Sequence, residues 1–136
     1  MKFSIIISIL STLSLSLAVP IYPTVGFATL SLQSVTGWIN ASIPIHNLTV
    51  YPPSYPLELW GARLNSVTGG DLAPNATYCQ CFTDAAGQYA WGGSFGLGQY
   101  ISWSNFSDTY GPASVAAYLC GSSVEIQAWL GDRYRK

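Results

Sequence analysis

The sequence predicts an all-β fold, a single small antiparallel β-sandwich or barrel that spans residues 27–136. Two observations predict this class. Apolar and polar residues alternate over short segments, and clusters of Gly, Pro and Asn separate those segments. A third observation is size, because the chain that follows the N-terminal segment is long enough for one domain and too short for two.

The first two predicted strands lie on either side of Gly37. Apolar and polar residues alternate over residues 27–33 and again over residues 38–43. Because successive side chains of a strand point to opposite faces, a glycosylated Asn40 would place Trp38 on the solvent-facing side. The core side of the second strand would then hold the other alternating residues: Ile39, Ala41 and Ile43.

Further strands are predicted along the rest of the chain. The alternation after Pro44 would turn His46 inward if Asn47 carries a glycan, which makes His46 a histidine at the edge of the core. The remaining predicted strands are residues 57–64, 77–83, 100–103 and 124–130, the last with the cleanest alternation in the protein. The segments between them are predicted as turns or loops at 51–56 and 65–71, and as a flexible loop or bulged strand pair at 91–98. Residues 113–119 could form a helical turn or two instead of a strand, because of Ala116 and Ala117.

The first 18 residues have the pattern of a secretory signal peptide. Lys2 supplies the positive charge, an apolar stretch broken by serines follows it, and Ser16-Leu17-Ala18 ends the segment with small residues. A membrane anchor is the alternative, but a spanning helix needs about 20 mostly apolar residues. We therefore expect a signal peptide at 1–18, a proline-bearing lead-in at 19–26, and a secreted, extracellular protein without a membrane segment.

N-glycosylation motifs agree with export. An N-x-S/T triplet without a central proline is an acceptor site, and such sites lie on the surface of secreted proteins. The sequence has four of these triplets, which begin at Asn40, Asn47, Asn75 and Asn105. Together with the signal peptide they predict a glycoprotein made in a eukaryotic secretory pathway.

The composition excludes one class of partner. Charged residues make up only 8% of the chain, whereas aromatic residues make up 14%. Nucleic-acid binding needs a basic patch, and this chain has fewer Lys and Arg residues than Asp and Glu residues. We therefore expect no nucleic-acid partner.

The three cysteines predict one disulfide. Cys79 and Cys81 lie two apart on one predicted strand, so their side chains leave the same face and a bond between them would be strained. One of the two should therefore bond to Cys120. Nothing in the sequence separates them, and we favour Cys81 only slightly over Cys79. The odd cysteine is then either buried and reduced or the link of a disulfide-bonded dimer.

No constellation of residues predicts catalysis or metal binding. His46 is the single histidine, no G-x-S-x-G elbow is present, and the spacing of the cysteines fits no standard zinc site. A glycosidase needs two converging carboxyl groups. Glu58 and Glu125 fall on predicted strands as solvent-facing charges, and the aspartates fall in predicted turns. We therefore predict no catalytic residue, no metal and no cofactor, although distant carboxylates could still converge.

The aromatic residues are the stronger indication of function. Tryptophans can fill a small β core, where they bury a large area, or form a stacking platform for sugars or a protein-binding patch. Trp38 and Trp129 fall on the polar sides of their predicted strands, which favours exposure. The candidate binding patch consists of four tryptophans: Trp38, Trp91, Trp103 and Trp129.

The layout resembles small secreted proteins of filamentous fungi, many of them effector candidates or wall-associated antigens. It is also similar to the Alt a 1-like β-barrel family. The similarity lies in a strand that starts with Trp38-Ile39-Asn40, a Leu-Glu-Leu-Trp strand at 57–60, and a late Cys120 followed by a predicted strand. That family usually has four paired cysteines, which this chain lacks, and no functional residue is carried over. The resemblance implies a β-barrel that is exported.

Together these features predict a secreted, non-enzymatic glycoprotein that acts by binding. Its role would be that of an effector-like protein or a cell-surface component. A binder of wall polysaccharide, or lectin-type protein, is the second expectation, and a small carbohydrate-active enzyme is the third. The expected partner is therefore a protein or a cell-wall glycan.

Overall fold

A computed structural model describes residues 25–53, 56–102 and 112–134. Among these residues the chain forms nine strands and one α-helix, so the all-β class predicted from the sequence is confirmed. In chain order the elements are β1 (Phe27–Ser34), β2 (Gly37–Pro44), β3 (Thr49–Val50), β4 (Leu57–Thr68), β5 (Tyr78–Phe82), β6 (Ala90–Gly96), β7 (Tyr100–Ser102), β8 (Ala113–Val115), β9 (Ala117–Gly121) and α1 (Ser123–Tyr134). A short 3-10 turn, Pro74–Ala76, lies between β4 and β5.

The strands form two antiparallel sheets. Sheet A has the order β2-β1-β4-β7, and the start of β4 also pairs with β8. Sheet B has the order β3-β9-β5-β6. Strand β4 is 12 residues long and links the parts of sheet A, because it pairs with β1 along one edge and with β7 and β8 along the other.

The main core lies between the two sheets. From sheet A it receives the alternate residues of β1, among them Leu30 and Leu32, which are fully buried. From sheet B it receives Cys79, Tyr118 and Phe95. Burial of this apolar area is the main term that stabilises the sandwich. The predicted inward sides of β1 and β2 are confirmed, since Ala41 and Ile43 are buried while Trp38 and Asn40 are exposed.

Sheet B is covered on both sides. Its second face packs against α1, which makes the molecule three layers thick. This smaller core contains Phe82, Leu119 and Ile126, with Trp129 packed against it. Every residue of β9 is buried as a result. Among the described residues, no helix is long and apolar enough to cross a membrane.

The predicted strand at 124–130 is wrong, because this segment lies in α1. Ser122 begins the helix: its Oγ accepts the Glu125 N–H at 3.1 Å and its carbonyl accepts the Ile126 N–H at 3.0 Å. Alternation at 124–130 also places Ile126 and Leu130 four apart, which is helical spacing. Val124, predicted to face the core, is instead 75% exposed.

Of the two forms left open for residues 113–119, strand and helical turn, the structure has the strand, since β8 and β9 occupy this segment. Sheet pairing and burial on both faces override the helix propensity of Ala116 and Ala117, which stay small enough for the layers to approach. The predicted turn at 65–71 begins too early. Strand β4 continues to Thr68 across a bulge, where the pairing shifts between Thr29 and Leu30.

The expected inward His46 is wrong as well. The buried residue of this segment is Ile45, and His46 is exposed with a φ of 75° in the left-handed region. Only Thr49–Val50 form a strand there, and Val50 is exposed. For the glycine-rich segment 91–98 the sequence predicts either a flexible loop or a bulged strand pair. The structure has the strand pair, because β6 pairs with β5 across an irregular register.

Candidate functional site

Two clusters of side chains stand out on the surface, one aromatic and one ionic. The first is the outer side of sheet A around Gln33, Trp38, Trp60 and Tyr100, here called the aromatic face. Trp38 pairs with Gln33 across β2 and β1, and Tyr100 reaches the same side from β7. Four neighbouring strands of one sheet therefore supply these residues.

Tyr100 is held by a hydrogen bond at its hydroxyl and by contacts at its ring. Its hydroxyl donates to Gln33 Oε1, and its ring lies 6.2 Å from the Trp38 ring at an angle of 57°. This tilted arrangement falls in the range that aromatic pairs prefer. Gly61 makes room beneath it, because a Cβ at that position would lie 2.6 Å from Tyr100 Cζ. The Tyr100 ring is therefore held between Gly61 and Trp38 by contacts within the chain.

Trp38 is the most exposed aromatic side chain of this group. It is 58% exposed, compared with 41% for Tyr100 and 38% for Trp60. Trp60 occupies a second bulge of β4, where the pairing with β1 shifts between Gln33 and Ser34. Its neighbour Leu59 is buried, which leaves Trp60 on the outer side. A bulge thus adds an aromatic residue to the face without disturbing the core.

A row of polar side chains borders the aromatic face. Asn65 Nδ2 donates to Ser31 Oγ, and Ser31 Oγ donates to Asn40 Oδ1 at 3.2 Å. Ser31 and Gln33 are two apart on β1, so the row and the aromatic face share one side of the sheet. Amide and hydroxyl groups at the edge of an aromatic platform can both donate and accept hydrogen bonds.

The four tryptophans of the predicted patch do not form one surface. Trp38 lies on the aromatic face, whereas Trp91 is half-buried against the main core on sheet B. Trp129 packs against the core under α1 and donates its Nε1–H to the Gly87 carbonyl at 2.8 Å. Its predicted exposure is wrong because the strand there is a helix. Trp103 lies outside the described residues.

The second cluster, here called the His46 cluster, joins three segments that are distant in the chain. His46 Nδ1 lies 2.7 Å from Glu125 Oε1, and His46 Nε2 lies 2.8 Å from Asp71 Oδ1. The His46 N–H donates to the Cys120 carbonyl at 2.8 Å, which ties the loop to the end of β9. Glu125 reaches the ring across Gly121, where a Cβ would lie 2.8 Å from Glu125 Cδ. Glu125 is therefore not the solvent-facing strand residue that the sequence predicts.

The proton on the imidazole decides how many of these bonds can form. Both ring nitrogens donate only in the protonated form, and neutral imidazole has one N–H. Hydrogen bonds that the ring donates to Asp71 and, second, to Glu125 raise the pKa of His46 above its ordinary value, against a smaller opposing effect of burial. The bond to His46 lowers the pKa of Asp71. The cluster is thus a pair of charge-assisted bonds around one cation.

The cluster has neither the geometry of a glycosidase pair nor that of a metal site. Both imidazole nitrogens are engaged with carboxylates, and the ring stands between the two acids, where a glycosidic bond would have to lie. The carboxylates flank opposite sides of the ring, so one metal ion could not share them. Among the described residues, no group of three His, Cys, Asp or Glu side chains is placed so that it could hold a metal ion. An open pocket of about 230 Å³ lies against the cluster, and His46 and Asp71 line it together with Ile45.

The disulfide joins Cys79 to Cys120, which lie directly opposite each other on β5 and β9. The slight preference for Cys81 as the partner of Cys120 is therefore wrong, and Cys79, the alternative, forms the disulfide. Cys81 faces Tyr118 instead and is a buried free thiol whose pKa burial raises. The sequence predicts that the odd cysteine is either buried and reduced or the link of a dimer, and the buried Cys81 thiol matches the first of these. A bond to a second copy would require the core to open.

Three of the four predicted glycosylation sites lie among the described residues. Asn40, Asn47 and Asn75 are all exposed, and Asn105 lies outside the described residues. Asn40 lies in β2, Asn47 in the loop before β3, and Asn75 in the 3-10 turn.

Sequence reasoning did not predict that Gln33, Trp60 and Tyr100 lie on the same face as Trp38. It also did not predict the hydrogen bonds of His46 to Asp71 and Glu125. One signal was readable, since Ser122-Ser123-Val124-Glu125 has the S-x-x-E spacing that begins a helix and brings Glu125 into its first turn. The other pairings depend on strand register and loop position. No family model, curated protein or solved structure matches the chain.

Proposed function

We propose that this chain is an exported, non-enzymatic glycoprotein that acts by binding, and that the aromatic face is its binding surface. The observation that carries the proposal is Trp38, a large apolar side chain that is 58% exposed and held against Tyr100. Exposed aromatic groups of this kind mark interaction sites. Such a protein would serve as an effector-like protein or a component of a cell surface.

The ring positions favour binding because they are already ordered. The Gln33 bond and the cleft above Gly61 hold Tyr100, and Tyr100 in turn limits the movement of Trp38. A ligand that lands on rings fixed in this way loses less conformational entropy in the complex. Preorganisation of this type is typical of binding surfaces. Trp38 and Tyr100 are exposed, so their order does not serve the packing of the core.

Carbohydrate is the ligand class that this surface fits best. A sugar ring has an apolar C–H face that can lie on Trp38, and its hydroxyl groups can bond to the polar row at Ser31, Asn40 and Asn65.

Arg63, which pairs with Ser31 and Tyr100, adds a positive charge to this side of the sheet. The exposed Glu58 of the same strand adds a negative one. Because these charges offset each other, a neutral polysaccharide is favoured over a strongly charged one. A wall polysaccharide has these properties.

Export is supported by three independent features. The first 18 residues have the signal-peptide pattern. Three N-glycosylation motifs lie at exposed positions, and the bond between Cys79 and Cys120 is of a kind that persists in oxidising compartments. Each feature points to the same route out of the cell.

A protein partner is the second candidate. Tyr and Trp are enriched among the residues that dominate protein–protein binding energy, and the aromatic face contains Trp38, Trp60 and Tyr100. The same variants test both candidates, because a protein partner would also contact Trp38.

The test is binding to insoluble neutral polysaccharides, with the secreted protein and its variants made in cells whose N-glycosylation is blocked, so that Asn40 carries no sugar and keeps its amide. We expect saturable binding to at least one polysaccharide and a loss of roughly 30-fold in affinity for Trp38→Ala, because a central aromatic anchor contributes about 2 kcal/mol. Val124→Ala, which removes an exposed apolar side chain from α1, is the matched control and should bind normally. Equal binding by Trp38→Ala would refute the site, and loss confined to a protein partner would favour the second candidate.

A further inference from the structure

Trp38 has an unusual neighbour on its own strand. Asn40 lies two residues further along β2, on the same outer side, and begins the acceptor triplet Asn40-Ala41-Ser42. Side chains two apart on a strand are separated by about 7 Å. A sugar attached to Asn40 would therefore begin within one ring diameter of the exposed Trp38 indole.

The orientation of the Asn40 amide suits attachment. Ser31 Oγ donates to Asn40 Oδ1 at 3.2 Å, and Asn65 in turn donates to Ser31. This row engages the carbonyl side of the amide and leaves Nδ2, the atom that carries an N-linked glycan, outside it. Ser42, the third residue of the triplet, is exposed on the same side of β2.

The other described triplets lack this environment. Asn47 follows the buried Ile45 by two residues and donates its own Nδ2–H to the Ile45 carbonyl at 3.4 Å. Asn75 follows Ala73 by two residues, which offers no ring. An exposed aromatic side chain therefore precedes Asn40 and neither of these two sites.

We infer that the chain's own N-glycan at Asn40 lies over Trp38 and is the first occupant of the aromatic face. In the attachment step Asn40 Nδ2 forms a bond to the anomeric carbon of a lipid-pyrophosphate-linked oligosaccharide and loses a proton, while the lipid pyrophosphate leaves. The first sugar then packs its apolar face on the indole, which removes apolar surface from water.

The tethered glycan also regulates access to the face. A group attached close to its site has an effective concentration on the order of millimolar, so a free sugar must compete with it. This consequence rests on the proposed function, whereas the contact between glycan and Trp38 does not. Removal of the Asn40 glycan should therefore raise the affinity for external polysaccharide.

The test is hydroxyl-radical footprinting of protein secreted from a eukaryotic host, with oxidation of each tryptophan measured by peptide mass spectrometry. Ser42→Ala removes the acceptor motif but keeps Asn40 and its bond to Ser31. Thr49→Ala removes the Asn47 motif and is the matched control. We expect a glycan on the Asn40 peptide of the wild type, and Trp38 oxidation that rises about twofold in Ser42→Ala, since one ring face becomes accessible.

Oxidation of Trp60 should stay unchanged in both variants, and oxidation of Trp38 should stay unchanged in Thr49→Ala. An unmodified Asn40, or equal oxidation of Trp38 in the wild type and Ser42→Ala, would overturn the inference. No external sugar is used, so a negative polysaccharide assay with this footprint intact would remove only the proposed function.

Discussion

The aromatic face and the His46 cluster hold their side chains by different forces. Ring packing and a neutral hydrogen bond order Trp38 and Tyr100, whereas bonds from the two N–H groups of a protonated imidazole to two carboxylates order His46. Neutral contacts do not titrate in the ordinary pH range, but a histidine between two carboxylates does. The proposed binding surface and the pH-sensitive His46 cluster are therefore built from different kinds of interaction within one small fold.

Glycine enters both regions in the same way. Gly61 lies under Tyr100, and Gly121 lies under Glu125, so each provides the space for one key side chain. A methyl group at either position tests one region and leaves the other intact. The two substitutions should nevertheless differ in size, because a backbone atom borders one site and a flexible carboxylate borders the other.

The largest effect is expected for Gly61→Ala. The new Cβ would lie 2.5 Å from the Ile101 carbonyl and would also displace Tyr100. Since the carbonyl belongs to the paired strand β7, it cannot move alone, and we expect a loss of about 1–3 kcal/mol in the free energy of unfolding. Chemical denaturation measures this, and polysaccharide binding should fall with it. Wild-type stability in Gly61→Ala would show that Tyr100 does not rest on Gly61.

Tyr100→Phe isolates the hydroxyl bond to Gln33. The ring stays, and the loss of the hydrogen bond makes the ordered position of Tyr100 less favourable by about 0.5–1.5 kcal/mol in free energy. A ligand that needs the ordered ring must supply this free energy when it binds. Polysaccharide affinity should therefore fall between about twofold and tenfold, with the pH dependence of stability unchanged. Tyr89→Phe, at an exposed tyrosine outside the aromatic face, is the control and should bind like the wild type.

The His46 cluster should make stability depend on pH. Its bonds raise the pKa of His46 from 6.5, so this contribution is complete below pH 6.5 and is lost as pH rises through the folded pKa. The lowered pKa of Asp71 means that its contribution is present above pH 3.8 and is lost as pH falls through the folded pKa. Thermal unfolding of the wild type and His46→Gln across about pH 2–9 measures both the loss of stability at high pH, here called the basic limb, and the loss at low pH. A basic limb that persists unchanged in His46→Gln would contradict this assignment.

The smallest effect is expected for Gly121→Ala. The new methyl group displaces the Glu125 carboxylate, which breaks one of the two bonds to His46 and spares the bond to Asp71. Pairs of this exposure contribute less than about 1 kcal/mol. Thermal unfolding should therefore show that Gly121→Ala loses less stability than the wild type as pH rises, but still loses some. A basic limb equal to that of the wild type would show that Glu125 does not contribute to it.

The parts of the fold that sequence reasoning predicted are those whose pattern is local. Strands β1 and β2 alternate clearly, and their shared turn at Gly37 leaves a single way to pair them. The segment 124–130 fits both a strand and a helix, so alternation alone could not decide, although the Ser122–Glu125 spacing favoured a helix.

The parts that sequence reasoning could not predict depend on register and on long-range closure. Cys79 and Cys81 differ only in which of them faces Cys120 across β5 and β9, and no local pattern determines that. His46, Asp71 and Glu125 come from three loops or helix ends, and the two partners lie 25 and 79 positions after His46 in the chain. Of the three patch residues that the structure describes, only Trp38 lies on the aromatic face, because Trp91 lies on sheet B and Trp129 on α1. Which sheet a strand joins cannot be read from composition.

The central claim is that the aromatic face, and not the His46 cluster, binds the ligand. The most direct measurement is the dissociation constant for the bound polysaccharide at pH 5 and at pH 8, for the wild type, Trp38→Ala and His46→Gln, all made without N-glycans. The account predicts a large and equal loss for Trp38→Ala at both pH values and near wild-type affinity for His46→Gln. Full affinity in Trp38→Ala together with loss of binding in His46→Gln would contradict it.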